Sequence, residues 1–372
     1  MKRLKLALCF LFILGLCLGS VACGEPEPAT DTKGTQPSSD VASTEENIPD
    51  PPKPVLYENP LTGLMAEANN VGARPVAIML NNIKQALPQE GISDVDILLE
   101  CLVEGGITRL MGIVSDCKSL EEIGSIRSSR PYYLDFAQAF DAIYCHAGGS
   151  TEAYNQIASR RINNVDGVKK DPLDVYYRDP QRLETMALEH TMMTTGEGIA
   201  KSIEHFKYRT TLREDFESPI SFPAADTSVP VGTDDALHVY IPVSSYQKVD
   251  YVYDAEAKEY LRYQHDGNKH VDGNNGEQLS FKNIIVLFCA TRTMEEKLLN
   301  ITTTGTGTGY LISEGKYTTI TWSRTDRDGN LTLTDTSGEP LVLNRGKTAI
   351  NVCPKTVEKN VNMNAVDRAM KP

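Results

Sequence analysis

The sequence predicts an α+β fold, with a mixed α/β N-terminal domain followed by a mostly β C-terminal domain. Three observations predict it. Residues 55–215 alternate apolar, β-rich runs with segments of helical spacing, whereas residues 236–357 contain successive strand-like runs separated by turn sequences. Residues 216–235 are rich in Ser, Pro, Thr, Ala and Asp, which is typical of a linker or long loop. The 372 residues are enough for about two domains.

The N-terminal domain is predicted to begin with strands. Residues 75–80 are an apolar run typical of a buried strand. Residues 95–104 and 107–115 predict a β-hairpin, because Gly105-Gly106 supplies the positive φ that a two-residue turn needs. Further along the chain we expect one short strand and four helices, the strand at residues 142–145 and the helices at residues 131–140, 150–160, 180–189 and 196–206.

The C-terminal domain is predicted to be almost entirely strands, and residues 358–372 are a polar tail. The expected strands lie at residues 237–243, 251–263, 283–290, 298–303, 316–323, 331–334 and 348–353. The Gly-rich residues 305–309 lack the Lys-Ser/Thr of a phosphate-binding loop, so they predict a flexible hairpin loop. Residues 265–273 include two histidines and Asp272, which could bind zinc, but they fail the calcium-loop spacing and favour a polar β-turn. No metal or cofactor is predicted.

Residues 1–22 have the pattern of an export signal. Three basic residues precede an apolar core of about thirteen residues, which is short for a membrane-spanning helix. The small residue Ala22 before Cys23 favours a bacterial lipobox, in which Cys23 becomes the lipidated N-terminus, although ordinary signal-peptidase cleavage remains an alternative. Residues 23–54 are a polar, Pro-rich tether predicted to be disordered. We therefore expect a protein anchored by lipid at the extracytoplasmic face of the cell membrane.

The charge balance excludes one class of partner. Removal of residues 1–22 leaves 34 basic and 50 acidic side chains, a net charge of -16. A general nucleic-acid binder needs a basic face, so no nucleic-acid partner is expected. Five cysteines beyond Cys23 are scattered without a zinc-like spacing, which favours buried thiols while leaving one disulfide open; they are Cys101, Cys117, Cys145, Cys289 and Cys353.

Several motifs resemble one bacterial family. They lie at residues 59–63 (NPLTG), 74–79 (RPVAIM), 102–109 (LVEGGITR), 127–133 (RSSRPYY) and 146–150 (HAGGS), and in the second half at residues 251–260, 283–286 and 305–322. These motifs resemble the YerB-like lipoproteins of Gram-positive bacteria. The resemblance implies a two-domain extracytoplasmic lipoprotein without an established molecular activity. One departure is that the family tends to have a His-Asn pair where this chain has His190-Thr191, which puts any role of that amide in doubt.

The most suggestive candidate site combines two arginines with a turn between a strand and a helix. Arg127 and Arg130, three residues apart, can offer forked donors to a phosphate or carboxylate. His146 precedes a Gly-Gly-Ser turn whose N–H groups open a helix, and such groups bind anions. The turn consists of Gly148, Gly149 and Ser150. The alternative is a tight structural turn in which Ser150 is only the helix cap and both arginines are in ion pairs.

Glu104 and Arg109 lie on the predicted hairpin near this site. In a two-residue turn Glu104 would oppose Ile107, so a cross-strand ion pair with Arg109 is expected. Glu104 acting as a general base beside His146 is the sharper alternative. The ligand-binding hypothesis therefore includes Glu104 and Arg109 with the arginine and turn residues.

Three functions remain open. The favoured one is binding of an envelope ligand or partner protein, such as an anionic cell-wall ligand. The second is an envelope phosphoryl or polymer transferase or hydrolase, because about thirty residues around the Gly-Gly turn are similar to the LytR-type phosphotransferases. The third is a scaffold for other envelope proteins. No established catalytic motif occurs, so whether the protein is an enzyme stays undecided.

Overall fold

The computed structural model describes residues 54–224, 227–294 and 298–371. The predicted export signal, Cys23 and nearly all of the predicted tether lie outside the described residues. Residues from 54 onward belong to one compact unit. None of the helices in these ranges is long and apolar enough to cross a membrane.

The N-terminal half contains the following strands and helices in chain order: β1 (Tyr57–Glu58), β2 (Met65–Ala66), β3 (Val76–Asn81), β4 (Ile97–Leu102), β5 (Thr108–Val114), β6 (Ile123–Gly124), α1 (Pro131–Ala139), β7 (Ile143–His146), α2 (Thr151–Ser159), β8 (Asn164–Asp166), β9 (Tyr177–Arg178), α3 (Pro180–Thr185), β10 (Met192–Thr194) and α4 (Gly196–His205). Pro131 opens α1 because its ring suits a first helical turn, and Ser150 and Thr195 cap α2 and α4 through their side-chain oxygens.

In the described residues of the C-terminal half, the regular elements are strands and one final 3-10 turn, Lys355–Asn360. The strands are β11 (Asp234–Asp235), β12 (His238–Ile241), β13 (Val249–Asp254), β14 (Glu259–Gln264), β15 (Asn268–Lys269), β16 (Ser280–Phe281), β17 (Asn283–Cys289), β18 (Thr291–Thr293), β19 (Leu299–Ile301), β20 (Gly305–Ser313), β21 (Lys316–Arg324), β22 (Thr332–Thr334) and β23 (Thr348–Pro354). The predicted α+β class is confirmed.

Strands of both halves form one 11-stranded sheet. Its order is β11-β21-β20-β17-β23-β4-β5-β3-β7-β8, with β22 beside β21. Strand β23 lies parallel to β17 on one side and to β4 on the other, so a strand from near the C-terminus joins the halves. The two predicted domains therefore contribute strands to one sheet. The boundaries between them remain a prediction from the sequence.

Both faces of the central strands of the large sheet are buried. In β3, Ala77 and Met79 face a core with α1 and Trp322, whereas Ile78 and Leu80 face a second core with α4 and the smaller sheet β12-β13-β14-β15. A strand covered on both faces has an unbroken apolar sequence, which explains why β3 was predicted from its sequence.

Some sequence predictions need correction. The predicted helix at residues 180–189 ends at Thr185, and a separate 3-10 turn follows at Leu188–His190. The single strand predicted at residues 251–263 is two strands, β13 and β14, joined by a turn in which Lys258 has a φ of 56°.

The Gly-rich residues 305–309 are the start of β20, not a flexible loop. A β-carbon at Gly307 would lie 2.4 Å from the indole nitrogen of Trp322, and one at Gly309 would lie 2.3 Å from the carbonyl oxygen of Val286. These glycines therefore permit close packing within the sheet rather than flexibility.

A buried ion pair joins the smaller sheet to the large one. Glu100 on β4 and Arg262 on β14 meet at 2.6 Å, with side chains that are 3% and 1% exposed. The second Glu100 oxygen accepts hydrogen bonds from Asn82, Thr108 and Gln247. A buried carboxylate and guanidinium satisfied in this way hold the two sheets in one register.

The predicted polar turn at residues 265–273 contributes to the same network. His270 is buried, its Nδ1 meets the Arg262 guanidinium, and its Nε2 lies 2.9 Å from Gln89 Oε1. Asp272 accepts the backbone N–H groups of Gly91 and Ser93. Within the described ranges there is no group of three metal-ligating side chains. All five cysteines of the described body are free thiols.

We expect Arg262→Met to destabilise the protein by about 3–5 kcal/mol, because it leaves the Glu100 carboxylate buried and uncompensated. The double variant Glu100→Gln/Arg262→Met should lose less than the sum of the single losses. Urea denaturation of the four proteins measures this coupling. The control is Lys316→Ala, which breaks an exposed pair with Asp235 and should cost under about 1 kcal/mol. Equal losses for Arg262→Met and Lys316→Ala would contradict the prediction.

Candidate anion-binding site

The structure brings together the two segments of the predicted site. Residues 127–130 run beside residues 146–150, and three backbone hydrogen bonds join them. Ala147 N donates to Arg127 O at 3.1 Å, Ser129 N donates to Gly148 O at 2.9 Å, and Ser150 N donates to Ser129 O at 3.4 Å. The RSSR and HAGGS motifs therefore form one local structure.

The glycine turn already holds a carboxylate of the protein itself. Gly148, with a φ of 75°, donates its N–H to Asp166 Oδ1 at 2.8 Å. Tyr154 donates its hydroxyl to the other oxygen of Asp166 at 2.8 Å. Ser150 caps α2 by accepting the N–H of Ala153. The Gly148 N–H group, predicted to face an external anion, thus binds Asp166.

His146 is fully buried beside this turn. Its side chain is 0% exposed, and Nδ1 lies 2.7 Å from the carbonyl oxygen of Gly148, so Nδ1 carries the proton and donates. Burial lowers the pKa of His146, and Asp166 at 3.8 Å opposes that shift without cancelling it. Burial thus favours the neutral ring, and an external ligand cannot reach it in this conformation.

Arg130 forms an ion pair with Glu104, for which Arg109 was the expected partner. The guanidinium donates from Nε and Nη2 to the two Glu104 oxygens, both at 2.8 Å. The predicted pairing of Glu104 with Arg109 was wrong because Glu104–Gly106 forms a 3-10 turn instead of a two-residue hairpin turn. Burial raises the pKa of Glu104, but the hydrogen bonds and charge of Arg130 outweigh it and lower the pKa overall.

Arg109 is buried close to Arg130 and Arg127. It is 6% exposed, and its Nη1 donates to the carbonyl oxygen of Ser128 at 2.7 Å. Burial lowers the pKa of Arg109 to about 10, and the charges of Arg130 and Arg127 add to the shift. The guanidinium groups of Arg109, Arg127 and Arg130 therefore repel one another.

Arg127 is the cation left without a direct partner. Its side chain makes no hydrogen bond or ion pair with any part of the chain that the structure describes. Burial lowers the pKa of Arg127; the charge of exposed Glu189 opposes this, whereas Arg130 and Arg178 add to it. The half-buried guanidinium is thus available to an anion.

Arg178 is the one arginine near the site that the sequence analysis missed. It lies on the two-residue strand β9, which is placed near Arg127 by pairing with β10 and, through β10, with β6. No local sequence signal marks Arg178, because its position depends on pairing between distant segments. Arg109, Arg127, Arg130 and Arg178 are called the arginine cluster below.

The surroundings of the cluster include two carboxylates, a cavity and a histidine. Two carboxylates, Glu104 and Glu189, face the four guanidinium groups, which leaves a local excess of positive charge. Arg130 and Ser150 also line a cavity of about 370 Å³ with Arg327 and Leu299. His190, whose pKa is lowered by burial and by the charge of Arg127, accepts from the amide of Asn81 at 2.9 Å.

Comparison with known proteins identifies the family. Residues 61–209 match the model described as "Protein of unknown function (DUF3048) N-terminal domain", and residues 239–350 match the corresponding C-terminal domain. The chain is thus a protein built from the two domains of one family whose function is not known. It belongs to the YerB-like family, which confirms the resemblance seen in the sequence.

The relatives cover most of the chain. The "Putative lipoprotein YerB" of Bacillus subtilis (strain 168) is 28% identical over 317 residues, which cover 82% of this chain and 88% of the relative. The crystal structure of the YerB protein from Bacillus subtilis matches with a TM-score of 0.69 and 27% identity, covering 80% of this chain and 97% of that one. The fold is therefore shared over 80% of this chain.

We expect the free energy of unfolding to decrease between about pH 7.5 and about pH 5.5, because buried His146 resists the proton that the unfolded chain accepts near pH 6.5. The unfolded state then binds more protons, so stability decreases with decreasing pH. His146→Asn keeps a donor for the Gly148 carbonyl and removes the titrating ring. Urea denaturation at both pH values should show a smaller loss in this variant, and an equal loss would contradict the assignment.

Proposed function

We propose that the protein is lipid-anchored at the extracytoplasmic face of the membrane and binds an anionic envelope ligand at the arginine cluster. The observation that carries the proposal is the unpartnered guanidinium of Arg127 beside Arg109, Arg130 and Arg178. A phosphate or carboxylate placed there would reduce the repulsion among these groups and accept their forked donors.

The arginine cluster is basic, whereas the protein as a whole is acidic. The full sequence has a formal net charge of -13, so an anion approaches against the overall field. A cluster with more guanidinium than carboxylate groups is a local exception to that field. Keeping such cations partly buried costs free energy, and perturbed groups of this kind cluster at functional sites.

A binding role has more support than group transfer. The two candidate bases beside the arginines are not free to accept a proton from a ligand: Glu104 is held by Arg130, and His146 is fully buried. The thiol of Cys145 is also buried, and burial raises its pKa. The site therefore offers positioned cations without an accessible base or nucleophile among these groups.

Arg127→Ala should weaken the binding of pyrophosphate by about tenfold or more, because it removes a charge-assisted pair. Isothermal titration calorimetry at fixed ionic strength measures this. Lys316→Ala is the matched control, since it removes one positive charge from an exposed pair with Asp235 on β11. Equal affinities of Arg127→Ala and wild type would exclude the cluster as the binding site.

Glu104→Gln provides a test of opposite sign in the same titration. The substitution removes the carboxylate that competes for Arg130, so pyrophosphate should bind more tightly although the folded state loses an ion pair. Weaker binding by this variant, with an unchanged fold by circular dichroism, would mean that Glu104 supports the ligand rather than competing with it.

The anchor is tested separately. Mass spectrometry of the N-terminal peptide should show an acyl lipid on Cys23 in cells that express the wild-type chain and none on the Cys23→Ser variant. Wild-type protein should also partition with membranes. An unmodified Cys23 at the mature N-terminus would instead establish ordinary signal-peptidase cleavage.

A further inference from the structure

A second basic region lies next to the arginine cluster. A cavity of about 950 Å³ opens along the segment between β8 and β9 and is lined by the cationic side chains Lys169, Lys170 and Arg178. Its acidic lining consists of Asp171 and Asp174. Asp171 is occupied, because its two oxygens accept the N–H groups of Val175 and Tyr176, each at 2.9 Å.

Aromatic rings, rather than carboxylates, position the two lysines. The Lys169 ammonium lies 3.6 Å from the centroid of the Tyr154 ring. The Lys170 ammonium lies 4.4 Å from the centroid of Phe206 and donates to the hydroxyl of Tyr208. Neither lysine forms an ion pair with a described residue. A cation held on a ring keeps its charge available to an anion, because no carboxylate neutralises it.

The second region is continuous with the arginine cluster at two points. Arg178 belongs to both, since it lines the cavity and its charge acts on Arg127. The turn at Gly148 makes the other connection: a β-carbon there would lie 3.7 Å from Val168, in the cavity wall, and 4.0 Å from Ser128. Asp166 also lies at this connection, but its carboxylate is occupied: one oxygen accepts the N–H groups of Gly148 and Val168, and the other accepts the Tyr154 hydroxyl.

The basic region continues beyond the two lysines. A further cavity of about 470 Å³ is also lined by Lys169 and Lys170, together with Arg161 and one carboxylate, that of Asp166. Arg161 is exposed and makes no ion pair within the described ranges. Lys170, Lys169 and Arg161 are called the basic track, which continues from the arginine cluster. A track several groups long exceeds what a single phosphate can contact.

We infer that the ligand of the proposed site is a linear polyanion with successive phosphate groups along a flexible chain. One phosphate binds at the arginine cluster, and later phosphates lie along the basic track at Lys170 and Lys169. This inference rests on the proposed function and specifies its ligand class. Each added phosphate in reach of a cation raises the effective affinity, as in other multivalent contacts.

The test is the dependence of affinity on chain length. Two series are titrated at constant ionic strength, inorganic polyphosphates and oligomers of propanediol phosphate, each with about two, four and eight phosphates. An eight-phosphate chain offers a statistical gain of at most about sevenfold over a two-phosphate chain. Wild type should gain about fiftyfold or more in at least one series. The series with the larger gain distinguishes an anhydride chain from a phosphodiester chain.

The variants separate the track from the cluster. Lys169→Ala/Lys170→Ala should bind the two-phosphate ligand as wild type does and retain only the statistical gain with length. Lys169→Arg/Lys170→Arg should restore the full gain, and Lys316→Ala should leave it unchanged. Circular dichroism verifies that each variant is folded.

Two failures are distinguishable. An undiminished length gain in Lys169→Ala/Lys170→Ala, or no gain beyond the statistical one in wild type, would overturn the track and leave the proposed function intact. Equal binding of the two-phosphate ligand by wild type and Arg127→Ala would overturn the proposed function itself.

Discussion

The fold depends on the buried ion pair between Glu100 and Arg262. Its two members come from different halves of the chain, and each is almost fully removed from solvent. A charge buried this deeply is tolerated only with a partner, so the small sheet must dock on the large one at the one position where both charges are satisfied. Asn82 from the N-terminal half and Gln247 from the C-terminal half also donate hydrogen bonds to Glu100. Apolar packing makes the interface favourable, and this pair makes it specific.

Charge compensation elsewhere in the body shows why the arginine cluster is different. Arg74 is paired with Asp141, and Arg160 is paired with Asp135, in each case across a long stretch of sequence. These two ion pairs neutralise the guanidinium groups of Arg74 and Arg160. Arg127 has no such partner among the described residues, although the sequence has 50 acidic residues. Arg324 is also unpaired, but its guanidinium is buried near the Phe136 ring. Arg127 is only half-buried, so its guanidinium can meet a ligand.

The sequence predicted what depends on local pattern. Continuous apolar runs marked the inner strands, and the Pro131 and Ser150 signals marked the starts of α1 and α2. It also led to residues 127–130 and 146–150, which the structure places side by side. It did not predict the Arg130 partner of Glu104, because that pairing depends on the backbone of a 3-10 turn. Arg178 was missed because pairing of β9 with β10, and of β10 with β6, brings it into place. Arg262 was missed because it reaches Glu100 only when the small sheet packs on the large one.

The position of β23 has a consequence for biogenesis. This strand, Thr348–Pro354, fills the gap between β17 and β4, so the large sheet is incomplete until nearly the whole chain is available. A chain that is synthesised from its N-terminus cannot close this sheet until synthesis is almost complete. A chain stopped short of β23 would expose the edges of β17 and β4, and unpaired strand edges of this kind can pair with other chains.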